Sequence, residues 1–188
     1  MKWNLANTIT GIRIIAIPLL AIVYFLPFEW ANNVGASVFI VAAISDFFDG
    51  YIARKFNQET PFGAFLDPVA DKLIVAVALV MLVHIDGRWM MVMIAAIIIG
   101  REITVSALRE WMASQQASAR VAVSMVGKLK TTFQLVGLSF ALWADPLLGL
   151  PIYDMGFTML LGAAALTLWS MWVYLSAAWP VLTGNKAS

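Results

Sequence analysis

Apolar runs of about twenty residues, each closed by a short polar or Gly/Pro-containing break, recur six times along the chain, and that length matches the hydrocarbon thickness of a bilayer. The pattern predicts helices over about Ala6 to Leu26, Val34 to Arg54, Phe62 to Val83, Trp89 to Trp111, Val121 to Trp143 and Gly156 to Trp179. The breaks are Phe28 to Asn33, Lys55 to Pro61, His84 to Arg88, Ser114 to Ala119 and Asp145 to Asp154. Met1 to Leu5, with Lys2 and Trp3, suits a short helix lying at the membrane surface. The expected fold is an all-α integral membrane protein of six transmembrane helices with a short N-terminal interfacial helix, forming a single domain over 1–188. Polar residues gather at the starts of the first, third and fifth helices and at the ends of the second and fourth. Helices that alternate in direction bring all of these to one side of the membrane. The sixth, from Gly156, carries no charge.

Composition agrees: 62% of the residues are hydrophobic, 12% are charged and mean hydropathy is +0.85. The net charge of +1 says little, but its placement says more. All twelve Lys and Arg residues except Arg88 fall on the polar side, which makes that side cytoplasmic and puts both termini there. Lys2 followed by an apolar run invites comparison with a signal peptide. No small-residue cleavage site precedes Phe28-Glu29-Trp30, so the segment is read as a retained span. Cysteine is absent, which excludes disulfides, a thiolate nucleophile and Cys-based zinc sites. The charged helix halves are too polar for lipid, so they are expected to face a shared hydrated cavity open to the cytoplasm.

Two groups of side chains suggest chemistry there. Asp46 and Asp49 stand at i,i+3 near the end of the second helix, and Asp67 and Asp71 at i,i+4 near the start of the third, so each pair shares a helix face. Four unpaired carboxylates at membrane depth would repel one another, and hard divalent cations, Mg²⁺ or Mn²⁺, are the natural counter-ions. Two such ions can clamp a transferring phosphoryl group. The second group is Arg101, Arg109, Lys128 and Lys130, which together suit a phosphate dianion. Lys128 and Lys130 lie about 200° apart on an ideal helix, and Lys128 is the preferred inward residue. Headgroup anchoring is the plainer reading of each cation alone. Asn7, Thr10 and Arg13 share a face of the first helix, where they either cap and snorkel or line the cleft. His84 is expected on the outer side, and the Trp and Met residues form an interfacial belt and helix packing.

The acids fall in the pattern D-x2-D-G-x2-A-R-x8-G-x3-D-x3-D, filled by Asp46, Asp49, Gly50, Ala53, Arg54, Gly63, Asp67 and Asp71. In this the chain resembles the CDP-alcohol phosphatidyltransferase family. The resemblance implies that Asp46, Asp49 and Asp67 ligate a two-metal centre that Asp71 completes, and that Asp71 is the base for the incoming hydroxyl. It also implies a CDP-diacylglycerol site formed with Asn7, Thr10, Asp49, Gly50, Ala53, Arg54 and Gly63, where the small residues allow close approach. Arg54 either binds the diphosphate or pairs with an aspartate. The stretches Arg101 to Trp111 and Gly127 to Thr132 are similar to those of bacterial members that make phosphatidylglycerophosphate. The acceptor is then sn-glycerol 3-phosphate, held by Arg101, Arg109, Lys128 and Lys130, with CMP as product. The same resemblance suggests a homodimer in the bacterial inner membrane, embedded in lipid and with no nucleic-acid partner. Gly162 to Ala165 offer small residues for packing against another helix. Rival expectations are a family member with a different acceptor, inositol phosphate or phosphatidylglycerol, and a divalent-cation transporter.

Overall fold

The computed structural model describes residues 5–55, 61–114 and 125–183; the side chains of residues 5–9, 46–55, 61–62, 64, 125–126, 128 and 181 lie outside that description. Six helices follow one another: α1 (Leu5–Tyr24), α2 (Ala31–Lys55), α3 (Pro61–Asp86), α4 (Trp89–Ser114), α5 (Met125–Trp143) and α6 (Ile152–Leu182). Stretches of α3, α4 and α6, namely Phe65–Asp86, Trp89–Ser114 and Ile152–Pro180, are long and apolar enough to cross a membrane. Thr10–Tyr24 and Ala31–Ser45 are shorter apolar helices.

The expected boundaries hold to within a few residues, with two informative differences. Helix α6 starts at Ile152 instead of about Gly156, so Asp154 lies in its first turn and the helix is not free of charge. An acid there is favoured by the partial positive charge of unpaired N–H groups at a helix start. Leu5 already belongs to α1, and the remainder of the expected interfacial segment, 1–4, lies outside the described residues.

Each helix hides one stripe and shows an apolar one outward. On α1, Arg13, Ile17, Leu20 and Tyr24 are buried, whereas Ile12, Ile15, Leu19 and Ile22 are exposed. Exposed apolar stripes of this kind fit a lipid surround, which takes Leu and Ile without penalty. Helix α3 is central, packing against α1, α2, α4 and α5. Helices α5 and α6 touch backbone to backbone. A Cβ on Gly156 would stand 2.5 Å from the Ala141 nitrogen, and one on Gly137 3.1 Å from the Gly156 carbonyl oxygen, so only hydrogen fits at this crossing. The small residues expected to receive another helix are used here too. Ala163 and Ala164 are buried within the chain, and a Cβ on Gly162 would meet Phe133 of α5 at 3.3 Å.

At one end of the bundle the Tyr24 hydroxyl donates to the Leu142 carbonyl (3.2 Å), tying α1 to α5. At the same end Asp86 accepts from Arg88 Nε (2.6 Å) and from the Tyr153 hydroxyl, tying the α3–α4 turn to α6. Arg88 also lies 4.2 Å from the Phe157 ring centroid. His84 is exposed and meets Phe25 edge-on. The α5–α6 connection is a tight turn in which Leu147 and Leu150 pair and Leu148 and Gly149 both take positive φ (54° and 78°).

Candidate active site

At the other end of the bundle α1 and α3 meet through polar side chains. Thr10 Oγ1 donates to Asp67 Oδ1 (2.6 Å), and Arg13 Nη1 donates to Asp71 Oδ1 (2.8 Å). One turn on α1 is matched to one turn on α3 with both numbers rising together, so the two helices run in the same direction. Thr10 and Arg13 are buried. A guanidinium at such depth requires an anion, and Asp71 supplies it. The two faces proposed by helical spacing, Thr10/Arg13 and Asp67/Asp71, therefore oppose each other.

A second polar seam joins α4, α5 and α6. Glu102 accepts from Lys130 Nζ and from Arg101 Nη1 (3.2 Å), and Arg101 Nη2 donates to Ser170 Oγ (3.1 Å). Lys130 is buried with Gln134 one turn beyond it on α5. Arg101 Nε is buried with no hydrogen-bond partner among the described residues, so one donor of this guanidinium remains for a ligand.

Between the two seams lies a cavity of about 180 Å³ lined by Arg13, Asp71, Lys72, Glu102, Lys130 and Gln134, with Ala42 and Ala43 of α2 at its wall. The cavity is far larger than the roughly 10–15 Å³ that one water needs. Asp46 follows Ala42 by one turn of α2, so the helix that borders the cavity is the one that carries the first two aspartates. The charged lining is mixed: Asp71 and Lys72 come from α3, Arg13 from α1, Glu102 from α4 and Lys130 from α5. A small molecule that carries both hydroxyl and phosphate groups suits a lining of both signs.

Several expected site residues are drawn together: Asp67, Asp71 and Thr10 in the α1–α3 seam, and Lys130 in the cavity wall. Gly63 is buried in the first turn of α3. Arg101 reaches the cavity only through Glu102. Arg109 stands apart, exposed, with Nη2 donating to the Tyr174 hydroxyl and its guanidinium carbon 4.9 Å from that ring's centroid. Arg101 also approaches the Tyr174 ring, at 5.7 Å from its centroid, so the two arginines share an aromatic neighbour on α6, and neither is among the cavity-lining residues. Of the lysine pair, Lys130 lines the cavity; the side chain of Lys128, the residue preferred from the sequence, lies outside the described residues, as do those of Asn7, Asp46, Asp49, Gly50, Ala53 and Arg54. Lys72, Glu102 and Gln134 are cavity residues that sequence reasoning left out of the site, and of the two readings left open for Arg13 the structure supports lining the cleft. Arg13 and Glu102 carried a signal, each being a charge inside a long apolar run that only a buried partner can stabilise.

The donors available to metal are all hard oxygen, and Asp67 and Asp71 share a face of α3, which suits Mg²⁺ or Mn²⁺. Among the described residues no three acidic or imidazole side chains gather at metal-binding range; Asp46 and Asp49 are not in that set.

A profile of CDP-alcohol phosphatidyltransferases matches residues 3–178. The chain belongs to the CDP-alcohol phosphatidyltransferase family. Among similar proteins is one from Salmonella choleraesuis named CDP-diacylglycerol--glycerol-3-phosphate 3-phosphatidyltransferase, 49% identical over 178 residues, which are 95% of this chain and 96% of the relative. Proteins of the same name from Shigella flexneri and Escherichia coli are each 47% identical over the same shares of both chains. Membership makes the chain a helical membrane protein of a phosphatidyltransferase enzyme family, in keeping with the apolar helices.

Proposed function

We propose that this chain transfers the phosphatidyl group from CDP-diacylglycerol to sn-glycerol 3-phosphate, giving phosphatidylglycerophosphate and CMP in phospholipid biosynthesis. The observation that carries the reading is the identity of 47–49% along 95% of the chain with relatives that bear this activity in their names. The cavity, lined by both acids and cations, supports it.

Asp46, Asp49, Asp67 and Asp71 are the residues that would hold two divalent cations, Mg²⁺ or Mn²⁺. When bound, such ions would neutralise negative charge on the diphosphate and on the departing CMP. Thr10 fixes the Asp67 carboxylate and Arg13 fixes that of Asp71. Asn7, Thr10, Gly50, Ala53, Arg54 and Gly63 border the nucleotide, with acyl chains left in lipid. Lys130 and Arg101 bind the acceptor's phosphate, displacing part of their present pairing with Glu102, and Lys128 lies two residues before Lys130 on α5. The Tyr174 contact gives Arg109 to the α4–α6 seam instead of the phosphate. Asp71 takes the proton of the primary hydroxyl as its oxygen bonds to the phosphorus that carries diacylglycerol, and the bond from that phosphorus to CMP breaks. Holding both partners in line supplies most of the acceleration, with little covalent work for the protein.

The remaining parts of the reading are six membrane-crossing helices in one domain, termini and cavity on the cytoplasmic side of a bacterial inner membrane, and a homodimer. The test is CMP release from CDP-diacylglycerol by the purified protein with sn-glycerol 3-phosphate, inositol phosphate, phosphatidylglycerol or serine. Release is expected with sn-glycerol 3-phosphate, abolished by EDTA and restored by Mg²⁺ or Mn²⁺. Faster release with another alcohol would reassign the acceptor, and none with any would remove the enzymatic reading.

A further inference from the structure

Gln134 lies on the face of α5 that carries Lys130, one turn further into the bundle, and it lines the cavity together with Asp71, Glu102 and Lys130. It is only 5% exposed. Its carbonyl oxygen, Oε1, is buried with no hydrogen-bond partner among the described residues. A buried amide carbonyl that lacks a donor is unfavourable, and where such an atom borders a polar cavity the missing donor is naturally supplied by what the cavity binds.

The chemistry of the other walls narrows what that donor is. Lys130 in the wall, with Arg101 behind Glu102, supplies positive charge for the phosphate end of a glycerol phosphate, and Asp71 on α3 is assigned to the primary hydroxyl. One polar group of the acceptor is then left, the secondary hydroxyl, and a hydroxyl is a donor. We propose that Gln134 is a specificity-determining residue, its Oε1 accepting a hydrogen bond from the secondary hydroxyl of the glycerol phosphate acceptor. This rests on the acceptor assigned above. A site built around a buried partner for a hydroxyl discriminates strongly against a substrate that lacks it, because the protein atom is then left unpaired.

The experiment compares sn-glycerol 3-phosphate with 3-hydroxypropyl phosphate, which keeps the primary hydroxyl and the phosphate but lacks the secondary hydroxyl. CMP release is measured for the wild-type protein, Gln134→Leu, of nearly equal volume, and Gln134→Asn. The wild type is expected to prefer sn-glycerol 3-phosphate by about tenfold or more in kcat/KM. Gln134→Leu is expected to raise KM for sn-glycerol 3-phosphate by about tenfold, to leave KM for CDP-diacylglycerol unchanged, and to bring the preference between the two acceptors close to one. A wild type that uses both acceptors equally overturns the proposal whatever the variants do. So does a Gln134→Leu protein that keeps the full preference, or one that weakens both acceptors equally. If Gln134→Leu does not fold in detergent, Gln134→Asn carries the same comparison, its shortened amide being expected to reduce the preference. Failure of the acceptor reading looks different: the wild type then releases CMP with neither phosphate, and the Gln134 proposal falls with it.

Discussion

Asp86, Arg88 and Tyr153 close on one another at one end of the bundle, and Asp71, Glu102 and Lys130 stand around open space at the other. Fifteen residues of α3 separate Asp71 from Asp86, or about 22 Å along the helix. Both groups hold charge at the ends of apolar helices, and both tie together helices distant in sequence. They differ in what remains after pairing. The Asp86 carboxylate is nearly enclosed by its own partners, and Arg88 is held charged, its pKa driven above the usual guanidinium value chiefly by the hydrogen bond to Asp86. The cavity end keeps a void of about 180 Å³, and a buried Arg101 Nε and Gln134 Oε1 that have no partner among the described residues. Charge that fills its own space fastens a fold, whereas charge arranged around unfilled space is available to a ligand.

The sharpest way to break that contrast is at Asp71. Asp71→Asn keeps an acceptor for Arg13 but removes the base and one charge, and kcat is expected to fall by about 10³-fold or more. A melting temperature in detergent close to that of the wild type would show that the loss is chemical. Near-full turnover would refute the role given to Asp71.

Next comes the cavity lysine. Lys130→Met is expected to raise KM for sn-glycerol 3-phosphate by about 10- to 100-fold with little effect on KM for CDP-diacylglycerol. It also leaves Glu102 with Arg101 alone, so the melting temperature should drop. Adding Glu102→Gln should recover stability without recovering KM, because the neutral amide no longer needs the ammonium but the substrate phosphate still does. Recovery of both would mean that Lys130 serves the fold only.

At the closed end the expectation is reversed. Arg88→Met strips Asp86 of its strongest partner and should lower the melting temperature by about 3–6 °C in a chain of this size, with kcat/KM unchanged. A loss of activity that exceeds the loss of folded protein would join the two ends and undo the comparison.

How much of this the sequence discloses follows from the physics of lipid. Helix number and approximate extent are legible because twenty apolar residues in a row have few other uses. Asp67 and Asp71 are legible because they combine helical spacing with charges that apolar surroundings penalise; the side chains of Asp46 and Asp49, read in the same way, lie outside the described residues. Which helices face one another is much less legible. In water a buried stripe differs in polarity from an exposed one, but on α1 both Leu20, buried, and Leu19, exposed, are leucine. Gln134 was invisible for this reason, since nothing in Leu129 to Leu135 tells which residue looks toward Glu102. Arg109 was placed with Arg101 on helical spacing, and the two do share Tyr174 of α6, but only the course of α6 shows that this meeting point is the α4–α6 seam and not the cavity. The start of α6 was missed because Pro151 was taken as part of a turn, although proline is also well suited to the beginning of a helix.

The smallest effect concerns the α5–α6 turn at the closed end. Leu148 is 94% exposed and holds φ at 54°, a left-handed conformation that costs an L-residue with a Cβ roughly 1–2 kcal/mol. The next residue, Gly149, has φ 78°, and Leu147 and Leu150 exchange backbone hydrogen bonds of 3.3 and 3.0 Å across the pair. A two-residue turn with both central φ angles positive is the arrangement that Asn-Gly adopts most readily. Leu148→Asn should therefore raise the melting temperature by about 2–3 °C and leave every kinetic constant as it was. Because Leu148 touches no other part of the chain closely enough to be covered, a decrease would mean that its side chain is held by the bilayer or by another subunit, and the closed end would then have a contact of its own.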